Sequence, residues 1–259
     1  MNLRRLLARS ISEMVAGVSW MRGPADGLRV LMYHAIGTPA LGDTLGLFSL
    51  KPDRFKQHMT LLAGWKQGRV VEFDGTALSG SGCRVAITFD DGYLDNLEVA
   101  APILTELGLP FTVFVTSEFV RSGKAGFLSP SALRALAALP GARIGAHGAN
   151  HVDLTQCDDG ALRSELSSSR QYLEDLLGSE VRTLAYPYGA VDCRVRDAAL
   201  AEGYRLGACS RAGVNRPERD PMLLVRTEIV AFDGERVFAQ KLHGDWDWYR
   251  WRKQDPASS

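Results

Sequence analysis

The chain predicts an α/β fold in which seven or so mainly parallel strands, covered by helices, close into a barrel related to the eightfold α/β barrel. Three observations lead there. The strand-like runs are continuously apolar, as strands buried on both faces are, rather than alternating. They take turns with helix-like segments from about residue 84 onward. The conspicuous polar residues fall just past the carboxyl ends of those runs, on the rim where α/β barrels gather reactive groups.

Each element follows from a local pattern. Residues 1–27 read as an appendage: Leu3, Leu7, Ile11, Met14 and Val18 form one helical stripe, with Arg4, Arg5 and Arg9 off it. Such a helix packs on the domain body, or rests residues 1–20 peripherally on an anionic membrane surface. The barrel is expected over 28–251, as a single domain, with 252–259 as a tail. A strand over 28–33 ends at His34, and a helix-like run over 53–62 carries His58. The strand 85–89 ends in Asp90-Asp91-Gly92. A helix over 94–107 is closed by Gly108 and Pro110. The β-branched and aromatic run 111–115 is a strand, 131–139 a helix, and 143–146 a strand ending at His147. The long amphipathic helix 158–177 stops at Gly178, and the strand 183–186 is stopped by Pro187 and Gly189. A helix over 192–202, a strand over 204–208 and a last strand over 223–230 complete the pattern.

The 259 residues hold 30 basic and 30 acidic side chains, so no electrostatic footprint for nucleic acid exists. Cys83, Cys157, Cys193 and Cys209 include no CxxC pair and fit free thiols in a reducing compartment. No run of about 18 apolar residues could span a membrane. Arg9 and Glu13 interrupt what would be a secretory h-region. The expected location is therefore cytoplasmic, with the inner face of the membrane as the variant that the amphipathic segment allows.

Three short segments carry the chemistry. His147 and His151 stand four residues apart, a spacing that suits two imidazoles on one divalent ion and also occurs without one. Asp90 and Asp91 are adjacent carboxylates after an apolar strand. Their repulsion would be relieved by a cation, while a helix N-terminus would tolerate them as well. Taken with the histidines, they favour a site of two His and one Asp. Three protein ligands leave positions for water and substrate, as in catalytic rather than structural sites. Zinc-type ions bring the bound water's pKa to about 7, and the aspartate that is not a ligand is placed to take the water's proton. In Tyr186-Pro187-Tyr188-Gly189, Pro187 has no N–H, so Tyr188 offers the first free backbone donor. That donor suits an oxyanion, and the turn equally suits a plain strand end.

Together these segments resemble the polysaccharide deacetylase family, carbohydrate esterase family 4. Thr88-Phe89-Asp90-Asp91-Gly92 matches its first motif, His147-x-x-x-His151 its second and Tyr186-Pro187-Tyr188-Gly189 most of its third, with the likeness covering roughly residues 28–245. The resemblance implies a distorted (β/α)7 barrel and a divalent metal ion, zinc first, on Asp91, His147 and His151. It implies Asp90 as general base and the Tyr188 N–H as oxyanion donor, with Pro187 and Tyr188 against the substrate. The reaction implied is hydrolysis of an acetamide to acetate and a free amine.

Three departures stand out. Gly148 replaces the Ser or Thr that usually follows the first histidine, so a loop-bracing hydrogen bond is missing. Ala185 replaces the Arg that orients the base, leaving that work to another cation such as Arg226. The general acid is His34 or His243. Leu31-Met32-Tyr33-His34 resembles the N-terminal segment of the poly-N-acetylglucosamine deacetylase branch and favours His34. Trp246, Trp248, Tyr249 and Trp251 are candidates to stack on sugar rings, Trp246 first, or simply to pack.

The expected activity is removal of N-acetyl groups from amino sugars of a polysaccharide or its oligosaccharide precursor. The alternatives are deacylation of another amide, such as a lipid-linked formylated or acetylated amino sugar, and a non-catalytic saccharide-binding relic. A glycosidase built on Asp90 and Asp91 is disfavoured, because its carboxyl groups stand at least about 5 Å apart.

Overall fold

Every strand pairing in the sheet is parallel. In the computed structural model residues 11–16, 23–252 and 255–256 are described. Eight strands lie among them: β1 (Gly27–Tyr33), β2 (Gly68–Val70), β3 (Cys83–Phe89), β4 (Phe111–Val115), β5 (Ala142–Ala146), β6 (Thr183–Ala185), β7 (Leu206–Ala208) and β8 (Arg226–Glu228). Their order is β7-β6-β5-β4-β3-β1-β8. β2 lies beside the first half of β3, and β4 beside its end. The chain approaching β8 pairs with β7 through Leu224 and Ala208, so the sheet nearly closes on itself. The expected distorted α/β barrel is the fold observed.

The barrel follows from the pattern of side chains. All seven residues of both β1 and β3 are buried, as strands covered on both sides must be. Successive strand residues point to opposite faces. Leu28, Val30, Ala86, Phe114, Ala185, Leu206, Ala208 and Leu224 share one apolar cluster within the ring. Leu31, Tyr33, Val85, Ile87, Phe89, Phe111, Val113 and Leu184 join the layer between strands and helices. At about 25 cal/mol per Å² of apolar surface, this outer layer is the main source of stability.

Among the described residues, the α-helices that follow β1 are Pro52–Ala63, Ala101–Glu106, Ser117–Arg121, Pro130–Ala137, Asp159–Leu177, Cys193–Ala201 and Glu235–His243. Asp158 caps the longest by accepting from the Ala161 N–H, and Gly178 ends it with a left-handed φ of 69°.

Several elements differ from the sequence expectation. The helix expected over 94–107 begins as a π-turn, Asn96–Ala100, and becomes α-helical only at Ala101. Pro102 has no N–H to close an α-turn, which accounts for the wider start. The strand expected over 223–230 shortens to Arg226–Glu228, because Pro221–Leu223 forms a 3-10 turn capped by Asp220. Helix Glu235–His243 is absent from the sequence expectation. Residues 11–16 are helical, yet Ser12 is the buried residue, bonded by the Trp248 Nε1–H at 2.9 Å. Ile11, Met14 and Val15 are exposed, the first two being members of the apolar stripe, while Leu3, Leu7 and Val18 lie outside the described residues.

Candidate metal centre and active site

The carboxyl ends of β1, β3, β5 and β8 and the turn after β6 surround one cavity of about 500 Å³. His34, Asp90, Asp91, His147, His151, Tyr188 and Arg226 line it. Asp90 is the next inward position after Ala86 and Thr88. Asp91 turns out of the strand with a φ of 73°. Both carboxylates therefore reach one site because the strand ends in a left-handed residue, not because it bulges.

Among the described residues, the non-glycine residues with positive φ are Asp91, His151 and Tyr188, at 73°, 59° and 59°. Each costs roughly 1–3 kcal/mol relative to ordinary backbone, strain that collects at functional sites.

Asp91, His147 and His151 each offer one ligand atom, all within 4.8 Å of one another. His147 Nδ1–H donates to the Ala185 carbonyl at 2.7 Å, which leaves Nε2 as the ligating nitrogen. That nitrogen lies 3.4 Å from Asp91 Oδ1, and His151 Nε2 lies 3.2 Å from it. Asp91 Oδ1 is nonetheless buried without a hydrogen-bond partner. An acceptor orphaned between two ring nitrogens and shielded from solvent is what a cation would satisfy. Two imidazoles and a carboxylate are the donor set that zinc-type ions take. The residues present thus fit a divalent ion.

The electrostatics agree. Burial would raise the Asp91 carboxyl, but the two imidazoles hold it well below the usual carboxylate range. Burial would lower His147, yet Asp90, Asp91 and the Ala185 carbonyl outweigh it and hold that imidazole above its ordinary value.

Arg226, the cation considered for the work of the missing motif arginine, reaches Asp90. Its Nη1 and Nη2 meet Asp90 Oδ1 and Oδ2 at 2.6 and 2.8 Å, a bidentate pair with both side chains buried. Its Nε–H donates to the Cys209 carbonyl at 3.0 Å. Against the burial that would raise it, Arg226 and then His147 hold the Asp90 carboxyl below its usual range. Val30 pairs with Arg226 across β1 and β8, so the register aims the guanidinium into the barrel. A charge directly after the apolar run Leu223-Leu224-Val225, within the expected strand, is the sequence signal for it.

The turn after β6 is built to show one amide. Gly189 N–H donates to Tyr186 O at 2.8 Å, while the Tyr188 N–H has no protein acceptor among the described residues. The Ser210 hydroxyl donates to the Tyr188 carbonyl at 3.2 Å and fixes the peptide plane. Pro187 is buried behind the turn rather than lining the cavity.

His34 lines the cavity, packed against the Phe48 ring with centroids 4.6 Å apart, and its Nδ1 is buried and unpartnered. Asn96 Nδ2 donates to the His34 carbonyl, and Asp95 Oδ2 accepts from Ile36 N, Thr38 N and Thr38 Oγ1. His243 and Trp246 are not brought to the site. Helix Glu235–His243 leaves the rim after β8 and returns alongside the barrel, so the residues beyond it lie at the amino ends of the strands. His243 packs against Trp65, and Trp246 donates to Gln240 Oε1 at 3.1 Å. Neighbouring Asp247 pairs with Arg29, early in β1.

Comparison with known proteins gives the same direction. Residues 79–207 match the family model described as polysaccharide deacetylase. YxkH of Bacillus subtilis (strain 168), provisionally named a polysaccharide deacetylase, is 24% identical over 207 residues, 78% of this chain and 71% of that protein. The solved structure of the Streptococcus pyogenes deacetylase PplD in complex with acetate matches with a TM-score of 0.75 and 25% identity, covering 85% of this chain and 99% of that one. IcaB from Ammonifex degensii shares the fold, with a TM-score of 0.66 and 23% identity over 86% of this chain and 98% of that one. The family model, the curated relative and the solved structures thus agree on one likeness, to the polysaccharide deacetylases.

Proposed function

We propose that this chain is a metal-dependent deacetylase that hydrolyses the N-acetyl groups of amino sugars in a polysaccharide or its oligosaccharide precursor. The observation that carries the proposal is the convergence of Asp91, His147 and His151 within 4.8 Å, beside the Asp90–Arg226 pair in one cavity. A divalent ion held by those three residues, zinc first, supplies Lewis acidity toward the acyl oxygen and acidifies water. Asp90, kept anionic by Arg226, accepts a proton as water adds to the acetyl carbon. The Tyr188 N–H stabilises the charge that develops on the acyl oxygen. His34 protonates the departing nitrogen as the C–N bond breaks, leaving acetate and an amine. An acid contributed from the start of the chain is the feature that sets it nearest the poly-N-acetylglucosamine deacetylase branch.

The test measures metal content and acetate release from N-acetylglucosamine oligomers on one preparation. Asp90→Asn should abolish turnover with metal near one per chain. Substantial activity left in the pure variant refutes the base assignment.

A second reading of the substrate draws on the rim. Leu41 and Tyr188 line the cavity and are 57% and 63% exposed; Leu45, on the same loop as Leu41, is 69% exposed. Exposed apolar side chains at the mouth favour a lipid-linked amino sugar, and with residues 1–20 they favour peripheral contact at the cytoplasmic face of a membrane. Release of acetate or formate from lipid-linked against free oligosaccharide separates the two substrates.

A further inference from the structure

Glu165 lies on the buried face of helix Asp159–Leu177, in line with Leu162, Leu166, Ser169 and Leu173. Its side chain is on the wrong stripe for a carboxylate, which is stable there only if its oxygens are fully used. They are used on one loop. Oε2 accepts from the Ala149 and Asn150 N–H groups, both at 2.9 Å, and Oε1 accepts from Asn150 Nδ2 at 2.5 Å. That loop is the one that joins His147 to His151. Its other face is held too: the Gly148 and Ala149 carbonyls accept from Ser117 N at 3.3 Å and Glu118 N at 2.9 Å. His151 comes directly after, with its left-handed φ of 59°.

We infer that Glu165 is a positioning residue, which acts through the 148–150 loop to hold His151 Nε2 in ligating position. The inference rests on the reading of Asp91, His147 and His151 as a metal site. It also explains Gly148, where the family resemblance leads one to expect Ser or Thr. A Cβ at Gly148 would lie 3.4 Å from Glu165 Oε2 and 3.4 Å from Pro187 Cγ, at a φ of 72° that side chains avoid. Those are ordinary contacts, so the left-handed backbone is what favours glycine there, and the carboxylate already takes the loop amides that need bracing. Glycine at 148 and glutamate at 165 are thus two halves of one device: the brace comes from the next helix instead of the loop itself.

The experiment is zinc affinity, by competition with a chromophoric chelator, and the visible spectrum of the cobalt-loaded protein. It compares the full chain with Glu165→Ala, Glu165→Asp and Glu165→Gln. Glu165→Gln keeps an oxygen for both amides and should bind zinc within about threefold of wild type. Glu165→Asp keeps the charge but is one methylene too short and should bind several-fold more weakly. Glu165→Ala should lose about tenfold or more, the scale on which outer supports of metal ligands act, with an altered cobalt spectrum. If the alanine variant does not fold, the Asp and Gln variants decide. Wild-type affinity and spectrum in Glu165→Asp or Glu165→Ala overturn the inference while leaving the metal site intact. A wild-type chain that binds no zinc overturns the site and the inference together.

Discussion

Asp90 and Arg226 are 136 positions apart in the chain and share two hydrogen bonds. That separation explains what could be read early and what could not. The adjacent aspartates and the spaced histidines are local patterns, so ligand chemistry was legible in them. Arg226 and Glu165 are isolated charges, and their meaning depends on which strand or loop the fold sets opposite. In Arg226→Met, Asp90 stays buried without its cation, so its carboxyl rises. A larger share of the base is then protonated, and the acid limb of the pH–rate profile moves to higher pH. The value of kcat/KM at pH 7 should fall roughly a hundredfold, within the range general bases supply, while zinc content is unchanged. An unshifted acid limb would remove Arg226 from the role given it here.

At the scale of elements, the sequence showed where strands end, because the reactive residues sit there, but not where the last helix leads. The barrel's parallel order places every β-strand carboxyl end on one rim and every helix carboxyl end on the other. His243, last residue of its helix, and the tryptophans after it therefore reach the opposite end from His34. Accordingly His34→Gln should lower kcat roughly a hundredfold. His243→Gln and Trp246→Ala should leave kcat and KM within about twofold; a collapse of kcat in His243→Gln would return the acid role to that residue. The turn after β6 offers a backbone test. A Cβ at Gly189 would fall 2.5 Å from the Ser210 amide nitrogen, and φ there is 66°. Gly189→Ala should cost about 1–3 kcal/mol of stability and lower kcat more than KM, because it displaces the Tyr188 N–H. Wild-type kcat in a folded Gly189→Ala protein would argue against that donor.

For the whole molecule, the fold class was legible because continuous apolar strands dictate a covered parallel sheet, and the helices could lie nowhere else. What the pattern concealed is how the helices that follow β1 and β8 are tied together. His58, on helix Pro52–Ala63, stacks flat on Phe238 of helix Glu235–His243 at 4.2 Å. Its Nε2–H donates to the Asp233 carbonyl at 2.9 Å, and its Nδ1 faces the Tyr33 hydroxyl of β1 at 3.4 Å. Asp233 in turn pairs with the buried Lys241 at 2.6 Å. The joint between these two helices is thus made by a neutral imidazole, and burial lowers its pKa from 6.5 to about 4. Proton counts set the sign. Between those two values the unfolded chain binds the proton and the folded one does not, so stability falls as pH drops from 6.5 toward 4. The loss should reach about 2 kcal/mol at pH 5 and approach roughly 3 kcal/mol at the lower end. Asp90 and Asp91, held below their ordinary range, lose their contribution only at more acid pH, and His147, held above its own, acts above 6.5. Urea unfolding of metal-free wild type and His58→Leu across this window isolates the joint. The variant starts lower, having left the Asp233 carbonyl unpaired, but its stability should be nearly flat where the wild type declines. Parallel curves would mean that the imidazole is not the group whose titration loosens the two helices.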